Sequence, residues 1–120
     1  MHYLIVSFTH KNTNIQTREQ LAFNDEQKLF NAHKSLTECQ SINETIVLST
    51  CNRVEIISSV NEPLSAIDDT FEYLSGYSGI DKEELEGRAD VYEDSGAVHH
   101  LFSVASSLDS LVIGETQIVG

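Results

Sequence analysis

Thr45-Ile46-Val47-Leu48-Ser49, then Thr50-Cys51-Asn52, then Arg53-Val54-Glu55-Ile56-Ile57-Ser58-Ser59-Val60: the reading of this stretch decides the fold. The first run is short, apolar and β-branched, as an interior strand requires, and the last reads as the next strand. Parallel neighbours need a crossover of about a dozen residues or more. The separation here is far shorter, so an antiparallel hairpin with Cys51 at its tip is the natural connection.

Toward the N-terminus, residues 2–8 are rich in Tyr, Ile, Val and Phe and predict a first strand. Thr9-His10-Lys11-Asn12-Thr13-Asn14 reads as a loop whose side chains are free to bind a ligand. A short helix is expected over 17–22. Asn24 with Gln27 resembles a capping box, and Leu29, Ala32 and Leu36 continue at helical spacing, which predicts a helix over about 25–38. Toward the C-terminus, Pro63 suits a first helical turn. Leu64, Ile67, Phe71 and Leu74 follow at helical spacing, and Gly76 and Gly79 end the helix. Asp81 and Glu84 suggest a brief capped turn, residues 88–92 a fourth strand, and residues 94–108 a long helix. The order β-α-β-β-α-β-α predicts an α+β sandwich of the split βαβ, ferredoxin-like type. The apolar run from Leu111 to Gly120 has no polar tail and reads as the start of a further, truncated segment.

A length of 120 residues suits one domain with a single core, and 40 % hydrophobic residues is a globular composition. No run approaches the roughly 20 apolar residues that span a bilayer, and Met1-His2-Tyr3-Leu4-Ile5-Val6 lacks the features of a signal peptide. A cytoplasmic protein with no membrane partner is the expectation. The formal charge of −12, from 19 acidic and 7 basic side chains, repels a polyanion on average. Any nucleic-acid affinity must therefore come mostly from elsewhere.

Cys39 and Cys51 form no CxxC pair and have no zinc-type spacing to His2, His10, His33, His99 or His100. In a reducing compartment each is either a packed small residue or a reactive thiol. For Cys51 the tight turn favours exposure at a sheet rim, and Arg53 favours thiolate over thiol. Exposed backbone amides of the turn, together with Asn52, suit a developing oxyanion. The plainer alternative, a packed cysteine followed by a solvated arginine, stays open on spacing alone.

At about 100° per residue, Ala97, Leu101, Val104 and Leu108 share one face of the long helix, with His100 at its edge and His99 nearly opposite. His100 is therefore either a satisfied boundary histidine or a proton-handling group beside a cleft. Ser107-Leu108-Asp109-Ser110 and Gly114-Glu115-Thr116-Gln117 place polar groups among apolar ones, suited to a small polar ligand or to ordinary caps and turns.

Several segments together resemble the glutamyl-tRNA reductase family. They are Ser49 to Glu55, His100-Leu101-Phe102, Val104 to Val112 and Gly114 to Ile118, with His10-Lys11, Arg18-Glu19 and Ala22-Phe23 upstream. The resemblance covers nearly the whole chain and implies its N-terminal catalytic domain over residues 1–120. It implies that Cys51 attacks the ester of glutamyl-tRNA, giving a thioester that NADPH reduces to glutamate-1-semialdehyde for tetrapyrrole (porphyrin) synthesis. Family substrate positions fall on Thr50, Asn52, Arg53, Ser110, Glu115, Thr116 and Gln117, and the histidine important for activity on His100. A charge-assisted bond from Arg53 to the substrate's side-chain carboxylate contributes about 1.5–3 kcal/mol, enough to separate glutamate from glutamine.

The loop Asn12-Thr13-Asn14-Ile15 departs from the family's Thr-Ala-Pro type. No G-x-G-x-x-G occurs, so NADPH is expected on a domain absent from this chain. The family also implies a homodimer through a missing helical region and hand-over of product to an aminomutase. The competing expectations are a non-catalytic binding or regulatory module of the same fold, and an unrelated cysteine hydrolase acting independently of Arg53.

Overall fold

The computed structural model describes residues 1–114, with backbone alone for 108–114. Its elements are β1 (His2–Thr9), α1 (Ile15–Leu21), α2 (Glu26–Thr37), β2 (Ile42–Ser49) and β3 (Arg53–Val60), then α3 (Pro63–Ser78), α4 (Lys82–Arg88), β4 (Asp90–Glu93) and α5 (Ser95–Gly114). The fold is α+β as expected, with four strands in the order β2-β3-β1-β4 and every pairing antiparallel. β3 lies between β1 and β2, so the connection from β1 to β2 passes over the strand that the hairpin returns.

Strand alternation divides the sheet into two faces. Leu4, Val6 and Phe8 of β1 and Val54, Ile56 and Val60 of β3 point into the main core. There they meet Leu21, Ala32, Leu36, Ala66, Phe71, Leu74 and Leu85 from α1 to α4. Phe8 and Phe71 meet edge to face at 6.4 Å. Residues of opposite parity, including Ile5, Ser7, Arg53 and Glu55, look toward α5, where Ala97 and Val104 are buried. Both faces of β1 and β3 are thus covered. That explains why these central strands read as nearly continuous buried runs.

Several boundaries differ from the sequence expectation. The β2 strand starts earlier, at Ile42, through a register shift between Ile42 and Glu44 that simple alternation hides. The connections carry more helix than a plain β-α-β-β-α-β-α order. The expected turn at Asp81 is the start of helix α4, anchored by fully buried Leu85, and β4 begins at Asp90. The cap of α2 is Asp25, whose carboxylate accepts from the Lys28 amide at 2.8 Å, and not a box from Asn24. Leu64 is 82 % exposed. The buried stripe of α3 runs through Ala66, Thr70, Phe71 and Leu74, with the Thr70 hydroxyl satisfied by the Ala66 carbonyl at 2.7 Å. Gly76 lies inside α3, and Gly79 closes it at φ 78°, a left-handed position suited to glycine. Helix α5 runs on to Gly114, and Leu101 is 42 % exposed, because the helix leans toward β1 and β4 through Ala97, His100 and Val104.

Candidate functional site

The hairpin between β2 and β3 builds one wall of the site. Ser49 faces Val54 in register, and the Thr50 amide donates to the Arg53 carbonyl at 2.8 Å. Cys51 and Asn52 are left as an exposed two-residue tip. The Thr50 hydroxyl holds the turn from inside, accepting from the amides of Asn52 at 3.2 Å and Arg53 at 3.3 Å. Two of the amides expected to serve a developing oxyanion are therefore already engaged by Thr50. Cys51 is a free, exposed thiol.

One strand position inward, a buried polar array joins three elements. Glu55 is 0 % exposed. Its Oε2 accepts from the Ser7 hydroxyl at 2.6 Å, from Arg53 Nη1 at 2.9 Å and from His100 Nε2 at 2.7 Å. Ser7 and Glu55 are register partners on adjacent strands, so backbone pairing alone brings them together. His100 reaches in from α5 and stacks on Tyr92 of β4, with ring centroids 4.0 Å apart and planes 12° from parallel. Burial, then the carboxylates of Asp90 and Glu55, push the Tyr92 hydroxyl above its ordinary range, with Arg53 opposing.

Two adjoining hollows open on this array. One, of about 260 Å³, is lined by Thr9, His10, Lys11, Arg53, Asp90, Tyr92 and His100, with Ser103, Val104 and Ser107 from α5. The other, of about 230 Å³, is lined by His10, Thr50, Cys51, Asn52, Arg53, Val104 and Ser107. Arg53 is common to both, together with His10, Val104 and Ser107. The loop after β1 is fixed over them. Asn12 accepts from the Thr9 amide at 2.8 Å and donates to the Ser7 carbonyl and to Asp90, each at 3.2 Å. Arg18 donates to the Thr13 carbonyl at 2.7 Å, so it braces the loop from behind. A wider depression of about 670 Å³ near the start of α3 is lined by Ser41, Asn61, Asp68, Asp69 and neighbours, and contains neither cysteine nor histidine.

The fold therefore gathers Thr50, Cys51, Asn52, Arg53 and His100 along one rim. The Ser110 side chain and residues Glu115, Thr116 and Gln117 lie outside the described residues. Sequence reasoning gave no role to Glu55, Ser7 or Tyr92. A hydroxyl inside the apolar run Leu4 to Phe8, and an acid inside the apolar run of β3, were the available signals. The burial expected from the helical wheel is found: His100 is half-buried and His99 exposed. Cys39, at the end of α2, is only partly exposed. Burial, then Asp69 and Glu38, push its thiol above the ordinary range.

No group of ligands suited to a metal ion occurs among the described residues, and no described helix is long and apolar enough to cross a membrane.

The chain is thus an α+β scaffold with an exposed thiol at a hairpin tip and a Glu–Arg–His array on the adjoining strand and helix. The family model for "Glutamyl-tRNAGlu reductase, N-terminal domain" matches residues 6–120. The glutamyl-tRNA reductase of a Nitratiruptor species is 61 % identical over all 120 residues, and that of Wolinella succinogenes 62 % identical over the same length. The solved glutamyl-tRNA reductase from Methanopyrus kandleri superposes with a TM-score of 0.59 at 29 % identity, covering 97 % of this chain and 25 % of that one. The chain belongs to the glutamyl-tRNA reductase family. It spans 28 % of the length of the two bacterial relatives.

Proposed function

We propose that residues 1–120 are the glutamate-recognising catalytic domain of a glutamyl-tRNA reductase, in which Cys51 accepts the glutamyl group from glutamyl-tRNA. The observation that carries this reading is the exposed Cys51 thiol sharing a hollow with the Arg53 guanidinium. Sγ attacks the ester carbonyl carbon. A carbon–sulfur bond forms, the carbon–oxygen bond to the terminal ribose breaks, and the thiol proton ends on the departing ribose oxygen. Splitting a hard reduction into acyl transfer followed by hydride delivery is the usual gain of covalent catalysis.

In this reading Arg53 receives the substrate's side-chain carboxylate, and Thr50 and Asn52 frame the carbonyl at the turn. His100 exchanges the proton during ester cleavage. On the family pattern, Ser110, Glu115, Thr116 and Gln117 complete the hold on the amino acid. On the family pattern, and with no G-x-G-x-x-G in the sequence, NADPH and the reduction to glutamate-1-semialdehyde for tetrapyrrole synthesis belong to a part of the protein outside this chain. The same holds for homodimer contacts and for hand-over to an aminomutase. A cytoplasmic setting goes with this reading.

The test is to trap the intermediate. Full-length protein is mixed with glutamyl-tRNA without NADPH, quenched in acid and mapped by mass spectrometry. A glutamyl adduct on Cys51, absent from Cys51→Ser, is expected. Deacylation of the tRNA with no adduct on Cys51 would sink the proposal.

A further inference from the structure

We propose that Glu55 is the positioning residue of this site: it holds His100 with hydrogen on Nε2, leaving Nδ1 as the proton-exchanging nitrogen, and fixes Arg53 in the same array. The inference deepens the acyl-transfer reading above and rests on it.

The geometry carries the argument. A carboxylate only accepts hydrogen bonds. Oε2 of Glu55 takes three donors, and the contact from His100 Nε2 is 2.7 Å. Nε2 must therefore carry hydrogen, and in the neutral ring Nδ1 then holds the free lone pair. Nδ1 has no hydrogen-bond partner among the described residues, and His100 lines the hollow shared with Arg53. Tyr92, stacked on the ring, fixes its plane. A carboxylate that orients an imidazole this way sets its tautomer without itself touching the substrate.

A purely structural ion pair explains less. Replacing a buried ion pair by apolar residues is often neutral or stabilising, so stability alone is a poor reason for a charge at this position. Oε1 of Glu55 is also buried with no partner among the described residues, a cost that packing does not offset. Ser7 is fully buried as well, and its hydroxyl meets Oε2 from the neighbouring strand. The carboxylate is thus held by side chains from β1, β3 and α5, on a central strand and under the helix that carries His100.

Two measurements on the full-length protein test this. Nitrogen-15 NMR of the neutral imidazole is expected to show His100 protonated on Nε2, with a low-field, slowly exchanging N–H resonance that disappears in His100→Ala. In Glu55→Gln that resonance should move upfield. The single-turnover rate of adduct formation on Cys51 should fall about 100-fold, within the range for lost acid–base assistance. If Glu55 acts through His100, combining Glu55→Gln with His100→Ala should slow the step little beyond the slower single variant. If it serves only Arg53, the loss should fall on KM, and the two rate effects should multiply.

Hydrogen on Nδ1 of neutral His100 in the wild-type protein would overturn the proposal, even if Glu55→Gln fails to fold. So would an unchanged adduct rate in a folded Glu55→Gln. Failure of the wild-type protein to form the Cys51 adduct, with the His100–Glu55 resonance present, would remove the acyl-transfer reading instead and leave the imidazole's positioning by Glu55 standing.

Discussion

Cys39 and Cys51 carry the same group in opposite surroundings. Cys39 sits at the end of α2, its thiol directed to the Ser35 carbonyl at 3.6 Å and held above its ordinary range by burial and by Asp69 and Glu38. Cys51 stands free at the hairpin tip next to a guanidinium-lined hollow. The thiolate is the reactive species, so iodoacetamide at neutral pH should modify Cys51 well before Cys39. Peptide mapping over a time course checks the order, and equal rates would contradict it. Cys51 and Arg53 were legible as candidates because a short turn between two strands leaves its residues few places to go. His100 was legible from the helical wheel, although spacing alone favoured a boundary histidine. Glu55 was not. On a strand an acid reads as facing solvent, and only the central placement of β3, with α5 crossing above, turns that position inward.

At the scale of elements, the shortest strand depends on one side chain. The four residues of β4 pair with β1, and Asp94 just beyond them turns the chain into α5 with φ 51°. Its carboxylate accepts from the Tyr3 amide at 3.0 Å and from His2 Nδ1 at 3.1 Å. The Tyr3 amide first, then His2, hold this carboxyl below its usual range. A depressed folded-state value contributes stability that is full above the ordinary carboxylate range and fades as pH falls through the folded value. Asp94→Asn keeps a residue that tolerates the left-handed backbone, and so isolates the charge. It should be less stable than wild type near neutrality, by a small margin because the site is exposed to solvent. The gap should close in acid, and urea midpoints taken across the acid range read it directly. The hairpin and the first strand could be read from pattern alone. Helix α4 could not, because seven residues dominated by charge gain their helix from Leu85 entering a core built by other segments.

Over the whole molecule, the chain carries a charge of −12, whereas the proposed substrate is a polyanion. Most of its basic groups are already occupied. Lys82 bridges Asp68 and Glu72, Arg88 pairs with Glu84, Arg53 with Glu55, and Arg18 is tied to Thr13. Lys28 donates to Asn24. Lys11 and Lys34 have no ion-pair partner among the described residues. Of these two, Lys11 lines the hollow that holds Arg53 and His100, on the loop that Asn12 pins to Asp90. The average field therefore opposes tRNA, while the mouth of the site offers one unpaired ammonium to a phosphate near the esterified end. If that contact forms, Lys11→Glu should raise KM for glutamyl-tRNA several-fold at low salt. It should also reduce the slope of log KM against log salt concentration by about 1, as loss of one phosphate contact does. Steady-state kinetics of the full-length protein across a salt series measure both. An unchanged slope would place the phosphate contacts of the substrate away from this loop, and the Lys11 ammonium would then be a solvated charge at the rim.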